Sequence, residues 1–158
     1  ISNVDFRAWQ VGDANWIFIQ SASNNSSFVG VQGGQQVVNI FNWTFNHIIA
    51  HELGHALGLW HEQSRPDRDT YVTIEWANIQ SGYEHNFDIQ GLAQTFGPYD
   101  FESIMHYGQY AFSTNYGVLR TITCNAGPLA FSSAISSRPL LRSSRTSVMQ
   151  TCGCIRSA

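Results

Sequence analysis

The sequence predicts one domain of the α+β class. The chain has 158 residues and 43% of them are hydrophobic, which is enough apolar material for one core and too little length for two ordinary domains. Short segments rich in β-branched and aromatic residues come first and predict a small sheet. One longer segment with a helical pattern follows and predicts the main helix. A small sheet and a single clear helix are the basis of the assignment.

Three short segments are predicted to form the strands of the sheet. Each is rich in β-branched or aromatic residues, and Ser, Asn and Gly residues separate them. They are Trp16–Gln20, Phe28–Val31 and Gln35–Ile40.

Beyond the main helix the sequence pattern predicts few regular elements. Tyr71–Ile74 is expected to be extended or to lead into a helix, and Glu75–His85 to be helical. The aromatic segment Gly97–Tyr110 is expected to be a loop. Near the end of the chain Ser143–Gln150 is expected to form a short helix, although Ser and Thr are mediocre helix formers.

The main helix is predicted over Phe45–Leu59, with Thr44 or Asn42 as its N-cap. At about 100° of rotation per residue, four apolar side chains of this segment fall on one arc, which is expected to face the core. These four are Ile49, Leu53, Ala56 and Trp60. The opposite side of the helix then carries the polar side chains.

Two histidines, His51 and His55, project together from that polar side. Residues at i and i+4 lie about 5 to 6 Å apart at Cβ, so two imidazole nitrogens can converge on one metal ion. Glu52 flanks the pair without pointing into it. Its carboxylate is therefore expected to reach a water molecule at the metal without becoming a ligand.

A third histidine, His61, can join the pair only if the helix ends before it, because six more helical residues would turn it away from His55. Gly58 is expected to end the helix, since glycine readily adopts the left-handed conformation that terminates helices. Three imidazoles with an open coordination position are typical of a catalytic zinc site. One Zn²⁺ per chain is therefore expected.

The spacing of these residues is H-E-x-x-H-x-x-G-x-x-H, the signature of the metzincin metallopeptidases. Within that clan the chain resembles the astacin family, and after the zinc helix it is most similar to the meprin branch. The resemblance extends from about Val4 to Ile122 and is faint after Cys124. It rests on four stretches of sequence: His61–Arg65, Asp67–Ile74, Glu84–Phe87 and Ser103–Tyr107.

The resemblance implies a metzincin-like catalytic domain over residues 1–158, with a small mixed sheet, a zinc-binding helix and a Met-turn, and without the usual amino-terminal strand and helix. Met105 is implied to form a packing floor under the imidazoles. Tyr107 is implied to occupy a fifth zinc position at rest and to bind the oxyanion during catalysis. Glu62 is implied to occupy the place where the family binds the mature amino terminus.

The sequence departs from the family at its usual cysteines. The two that normally bracket the loop before the zinc helix appear as Asn25 and Trp43, and the partner of Cys154 would fall near Asn3. Neither usual disulfide is expected, and the pairing of Cys124, Cys152 and Cys154 stays open. Glu62 is expected to be exposed or to take another partner, with Arg65 and Arg68 the nearest candidates.

The predicted function is that of a zinc-dependent endopeptidase with Glu52 as general base and a protein or peptide as substrate. The resemblance also implies that Gln35–Ile40 is an edge strand that pairs with extended substrate. Arg138, in a weak match to a family segment, is expected to favour Asp or Glu after the scissile bond. A solvated basic tail is the other interpretation, since five of the eight arginines follow the last acidic residue, Glu102.

Two alternatives to a peptidase stay open: a zinc-binding but catalytically silent fragment, and a structural zinc module. No membrane span is expected, because no apolar stretch approaches about 20 residues. A nucleic-acid surface is a poor interpretation for a chain without Lys. Sequons at Asn24, Asn25 and Asn42, together with the resemblance, favour a secreted protein. The oligomeric state is not predicted.

Overall fold

A computed structural model describes residues 4–125 of the chain. The chain divides between Leu59 and Trp60 into two compact units. The described residues form one α-helix and five strands, in the order β1 (Asn15–Ser21), β2 (Ser26–Ser27), β3 (Gly34–Ile40), α1 (Asn46–Ala56), β4 (Val72–Ile74) and β5 (Ile122–Cys124).

The sheet of the first unit is mixed, as predicted. β1 runs parallel to β3 from Asn15 opposite Gly34 to Ser21 opposite Ile40, and β2 is antiparallel to β3. The strand order is β1-β3-β2, so β3 is the middle strand. The expectation that Gln35–Ile40 is an edge strand is therefore wrong.

The core of the first unit lies between β3 and α1. Side chains alternate along β3, so that Gln36, Val38 and Ile40 are buried. Val38 and Ile40 pack against Ala56 of the helix, and Ile17 and Ile49 extend this cluster.

The predicted apolar arc of the helix is confirmed only in part. Ile49 and Ala56 belong to the core cluster, whereas Leu53 is half-buried and Trp60 is exposed. Trp60 departs from the prediction because α1 ends at Ala56 and the residues after it no longer follow the helical rotation.

The predicted strand Phe28–Val31 is wrong, because this segment is a turn between β2 and β3. Gly30 adopts a φ of +73° there and donates its N–H to the carbonyl of His55 at 2.8 Å. A Cβ on Gly30 would lie 3.9 Å from the Cα of Gly58. The turn thus bonds to the end of the helix rather than to a strand.

Asn25 forms hydrogen bonds with the loop that leads into the helix. Its Oδ1 accepts the backbone N–H groups of Phe41 at 2.8 Å and Asn42 at 3.1 Å. Its Nδ2 donates to Oδ1 of Asn42 at 2.8 Å. At a position where the family resemblance implies a cysteine, this chain therefore has three hydrogen bonds.

The second unit is built on a two-stranded antiparallel sheet in which Val72 lies opposite Cys124 and Ile74 opposite Ile122. Of the two alternatives for Tyr71–Ile74, β4 agrees with the extended one at Val72–Ile74, while Tyr71 has a helical backbone conformation, and β5 was not predicted. Cys124 is disulfide-bonded. The apolar core around this sheet consists of Val72, Ile74, Ile79, Phe87, Tyr99 and Ile122.

The predicted helix Glu75–His85 is wrong. Trp76–Asn78 and Glu84–Phe87 are single 3₁₀ turns, and the backbone between them is not helical. Ile79 is extended and forms a bridge with Ser113, in which the N–H of Gln80 donates to the carbonyl of Phe112 at 2.8 Å and the N–H of Thr114 donates to the carbonyl of Asn78 at 2.9 Å. The predicted loop Gly97–Tyr110 is confirmed.

Several expectations lie outside the described residues: the helix Ser143–Gln150, the pocket role of Arg138, and the pairing of Cys152 and Cys154. Between residues 4 and 45 the described chain holds no helix. None of the helices in residues 4–125 combines the length and apolarity that crossing a membrane would need.

The Asn25 network gives a stability prediction. Replacing Asn25 by Ala removes an acceptor from two backbone N–H groups, so the free energy of unfolding should fall by about 1 to 3 kcal/mol. Asn24→Ala is the matched control, because the Asn24 side chain is exposed and makes one 3.4 Å contact with Ser26. Urea unfolding of both variants measures the difference, and equal midpoints would contradict a stabilising role for Asn25.

Candidate metal centre and active site

The carboxyl end of α1 sets the direction in which the chain leaves the helix. Gly58 adopts a φ of +99° and donates its N–H to the carbonyl of His55 at 2.8 Å. The N–H of Leu59 reaches back to the carbonyl of Gly54 at 3.0 Å. These two bonds form a Schellman motif, which confirms the predicted break at Gly58.

At the amino end of α1 the predicted side-chain cap is absent. Phe45 is the N-cap residue and makes no side-chain capping bond, so neither Thr44 nor Asn42 serves in that role. Instead the N–H of Phe45 donates to the carbonyl of Asn42 at 3.2 Å, a turn that leads into the helix.

The first two histidines lie side by side on α1. The ring centroids of His51 and His55 are 4.6 Å apart, with the rings nearly perpendicular. Nδ1 of His55 is 2.8 Å from the carbonyl oxygen of Leu59. Because a carbonyl can only accept, Nδ1 carries the proton, and Nε2 has the lone pair through which a neutral imidazole can bind a metal. Burial lowers the pKa of His55, which favours this neutral form.

The structure brings the third histidine to the same place. One potential ligand atom from each of His51, His55 and His61 lies within 4.8 Å of the others. In the described residues this is the only group of three His, Cys, Asp or Glu side chains arranged to hold a metal ion. Three imidazoles, one with its second nitrogen held by a carbonyl, are a donor set that fits Zn²⁺.

Glu52 is buried beside these histidines on α1, with 6% of its surface exposed. Burial raises the pKa of its carboxyl group to about 7, because the charged form loses contact with water. A carboxyl group with a pKa near neutrality both accepts and releases a proton at neutral pH.

The turn Ser103–Tyr107 is held by short-range hydrogen bonds. The N–H of Met105 donates to Oγ of Ser103 at 3.1 Å, and the N–H of His106 to the carbonyl of Ser103 at 2.9 Å. Met105 is buried and its carbonyl accepts the N–H of Glu62 at 3.0 Å. The turn with the buried methionine is thereby bonded to the residue directly after His61.

The Tyr107 ring lies against the third histidine. Its centroid is 4.3 Å from that of His61, and the rings of Phe87 and Phe112 are 5.8 Å and 5.6 Å away. The N–H of Tyr107 donates to Oε1 of Gln63 at 2.9 Å. Ring packing and a backbone hydrogen bond therefore both restrain this tyrosine.

A buried histidine, His106, connects the turn to the core of the second unit. Its Nδ1 is 2.7 Å from the carbonyl oxygen of Tyr107, so Nδ1 carries the proton. Its Nε2 therefore accepts the hydroxyl hydrogen of Tyr99 at 2.8 Å. Burial lowers the pKa of His106 and favours the neutral ring.

Glu62 finds its partner within the second unit. Its Oε1 accepts Nη1 of Arg65 and the backbone N–H of Asp100, each at 2.9 Å. Arg65 also forms a two-pronged ion pair with Asp67 at 2.9 and 2.8 Å and lies over the Tyr99 ring. Of the two arginines expected near Glu62, Arg65 is thus the one that pairs with it.

Comparison with known proteins agrees with this arrangement of residues. The family model described as Astacin, a peptidase family, matches residues 2–152. The chain belongs to the astacin family.

Curated relatives of this astacin-family chain include rat (Rattus norvegicus) meprin A subunit alpha, which is 44% identical over 118 residues. This match covers 72% of the chain and 16% of the relative. High choriolytic enzyme 1 from Oryzias latipes is 43% identical over 110 residues, covering 68% of the chain and 41% of the relative. The chain therefore spans less than half the length of these relatives.

A solved structure shares the astacin fold with this chain. High choriolytic enzyme 1, a hatching enzyme zinc-protease from Oryzias latipes, matches with a TM-score of 0.67 and 40% sequence identity. The match covers 77% of this chain and 62% of the solved one. The metzincin-like α+β fold expected from the zinc-helix motif is confirmed.

Sequence reasoning did not identify the residues that hold the tyrosine in place. Gln63 and His106 lie inside stretches that carry the astacin resemblance, and neither was assigned a role. The contact between Gln63 and Tyr107 joins residues 44 positions apart, so it leaves no local sequence pattern. The only sequence signal for these two residues was their closeness in the chain to His61 and Tyr107.

Proposed function

We propose that this chain is a zinc-dependent endopeptidase that hydrolyses protein or peptide substrates, with residues 1–158 as its catalytic domain and one Zn²⁺ per chain. The convergence of three imidazoles next to a buried glutamate, in a chain of a peptidase family, carries this proposal. His51, His55 and His61 would hold the metal. When bound, Zn²⁺ supplies a Lewis acid that acidifies water and polarises the scissile carbonyl.

Glu52 is the proposed general base. Its carboxylate accepts a proton from the attacking water and then passes that proton to the nitrogen of the leaving amine. Burial supports both steps, because it raises the pKa of Glu52 to about 7. A carboxylate of ordinary pKa would be a weaker base towards the attacking water, whereas a pKa near 7 lets the same group take up and release the proton at neutral pH.

Tyr107 is the proposed oxyanion donor. Its phenol would donate a hydrogen bond to the negative charge that develops on the carbonyl oxygen of the substrate. The position of its ring against His61 supports this role, since the developing charge lies next to the metal ligands.

Two finer features of the proposal concern specificity and location. Arg138 is proposed to bind Asp or Glu directly after the scissile bond, on the basis of its weak motif match. A secreted location is proposed because Cys124 is disulfide-bonded, and disulfides persist mainly in oxidising compartments.

The metal proposal predicts one tightly bound zinc per chain, measured by elemental analysis after gel filtration. Acidification should release the metal at a pH below the ordinary imidazole pKa of about 6.5, because protonated imidazoles cannot bind it and a tightly bound metal competes with the proton. A chelator such as 1,10-phenanthroline should abolish cleavage of a quenched peptide, and added zinc should restore it. Cleavage that is unaffected by the chelator would overturn the proposal.

The base proposal predicts that Glu52→Gln retains zinc but lowers kcat by about 100- to 10,000-fold, because a general base contributes that much. The control is Glu102→Gln, which removes an exposed carboxylate and should leave kcat unchanged. Zinc without turnover in the unmodified chain would instead favour the silent-fragment alternative. Substantial activity in Glu52→Gln would show that another group is the base.

The specificity proposal predicts that a peptide-library profile shows Asp or Glu enriched directly after the cleaved bond. Arg138→Ala should flatten that preference, with Arg142→Ala as a control for the general charge of the same segment. An apolar preference that neither substitution alters would support the solvated-tail interpretation of Arg138.

A further inference from the structure

Two hydrogen bonds join the residues that follow the third histidine to the turn that carries Tyr107. Glu62 donates its N–H to the carbonyl of Met105 at 3.0 Å, and Tyr107 donates its N–H to Oε1 of Gln63 at 2.9 Å. The first bond is between backbone groups and forms with any residue other than proline at position 62. The second bond requires a side-chain acceptor at position 63.

The Gln63 side chain is fully buried, and its amide oxygen accepts the hydrogen bond from the Tyr107 N–H. Its Nε2 has no hydrogen-bond partner among the described residues, although it is buried. The hydrogen bond that this buried amide makes with a backbone group is therefore made by its oxygen. The oxygen of Gln63 has one such bond, to Tyr107.

The backbone of Gln63 is itself held in place. Its carbonyl accepts Nη1 of Arg68 at 2.9 Å, and the same nitrogen donates to the carbonyl of Phe87. Arg68 is buried and also bonds to Asp69 at 2.6 Å. The acceptor offered to Tyr107 therefore projects from a well-anchored backbone.

Both backbone polar groups of Tyr107 are held by side chains. Gln63 accepts its N–H, and Nδ1 of His106 donates to its carbonyl at 2.7 Å. No helix or strand contains Tyr107, so these two bonds restrain its backbone, while the rings of His61, Phe87 and Phe112 pack against its ring.

We propose that Gln63 is a positioning residue for the reaction: its side-chain oxygen holds the backbone of Tyr107 so that the phenol stays aligned beside the third histidine. This inference rests on the proposed function, in which the Tyr107 phenol stabilises the oxyanion. Loss of the acceptor would leave a half-buried N–H unpaired and let the turn relax. Displacement of a catalytic group by about 1 Å can lower a rate about 100-fold.

The test uses the zinc-loaded full chain and three variants. Gln63→Met keeps the size of the side chain and removes its carbonyl oxygen. Gln63→Glu retains an oxygen for the Tyr107 N–H, and it loses no hydrogen bond of Nε2 because that atom has no partner in the described residues. Gln109→Met is the matched control, since the side-chain oxygen of Gln109 is buried without a hydrogen-bond partner in residues 4–125.

Gln63→Met is expected to lower kcat about tenfold while KM and zinc content change less than about twofold, because a positioning defect appears in the transition state rather than in substrate binding. Gln63→Glu and Gln109→Met should stay within about threefold of the unmodified kcat. Unchanged kcat in Gln63→Met, or an equal loss in Gln109→Met, would overturn the inference.

Amide hydrogen exchange gives a readout that does not depend on activity. The Tyr107 amide should exchange at least about tenfold faster in Gln63→Met than in the unmodified chain or in Gln63→Glu. If Gln63→Met does not fold, Gln63→Glu provides the test, with Gln109→Met as its control. Its retained oxygen must then preserve the protection of the Tyr107 amide. Loss of that protection in a folded Gln63→Glu would overturn the inference.

A double-mutant cycle separates the inference from the proposed function. Tyr107→Phe alone should lower kcat about 100-fold, as removal of an oxyanion donor does. In the Tyr107→Phe background, Gln63→Met should have less than about a twofold further effect, because the two residues act as one unit. A full tenfold further loss would overturn the inference and leave the role of Tyr107 intact. Normal kcat in Tyr107→Phe would reject the oxyanion role, and the inference with it.

Discussion

The end of the helix at Gly58 is the constraint on which the metal centre depends. An α-helix presents histidines at i and i+4 to one ion, but six residues further on the side chain points elsewhere. The chain must therefore leave the helix between His55 and His61. Gly58 permits this with a φ of +99°, a conformation that is costly for residues with a Cβ.

The same short segment also orients His55, one of the three proposed ligands. Leu59 donates its N–H to Gly54 and so closes the helix, while its carbonyl accepts Nδ1 of His55. The bond that terminates α1 and the bond that selects the histidine tautomer thus share one residue. The residue that ends the helix therefore also fixes the tautomer of the His55 imidazole.

The part of the site predicted from the sequence is the part encoded by short-range spacing. His51, Glu52, His55, Gly58 and His61 lie within eleven consecutive residues, so helical geometry relates the first three and the break at Gly58 relates them to His61. The strands β1 and β3 were also predicted, and β4 was one of two alternatives for its segment, because their β-branched and aromatic residues are adjacent in the chain.

The features that the sequence did not predict depend on contacts between distant residues. Phe28–Val31 has strand-like composition, but Gly30 bonds to the end of the helix. Residues 75–85 could not continue as a helix because Ile79 pairs with Ser113. Gln63 and Tyr107 are 44 residues apart, and only the folded chain places the amide oxygen beside the Tyr107 N–H.

The central claim is that three imidazoles, with no fourth protein ligand from a cysteine or histidine, hold one zinc ion in a site open to water. X-ray absorption at the zinc edge of the loaded full chain tests it most directly. The account predicts a first shell of three imidazole nitrogens at about 2.0 to 2.1 Å completed by oxygen. A shell that contains sulfur at about 2.3 Å, or four imidazoles, would indicate a closed structural site and contradict the account.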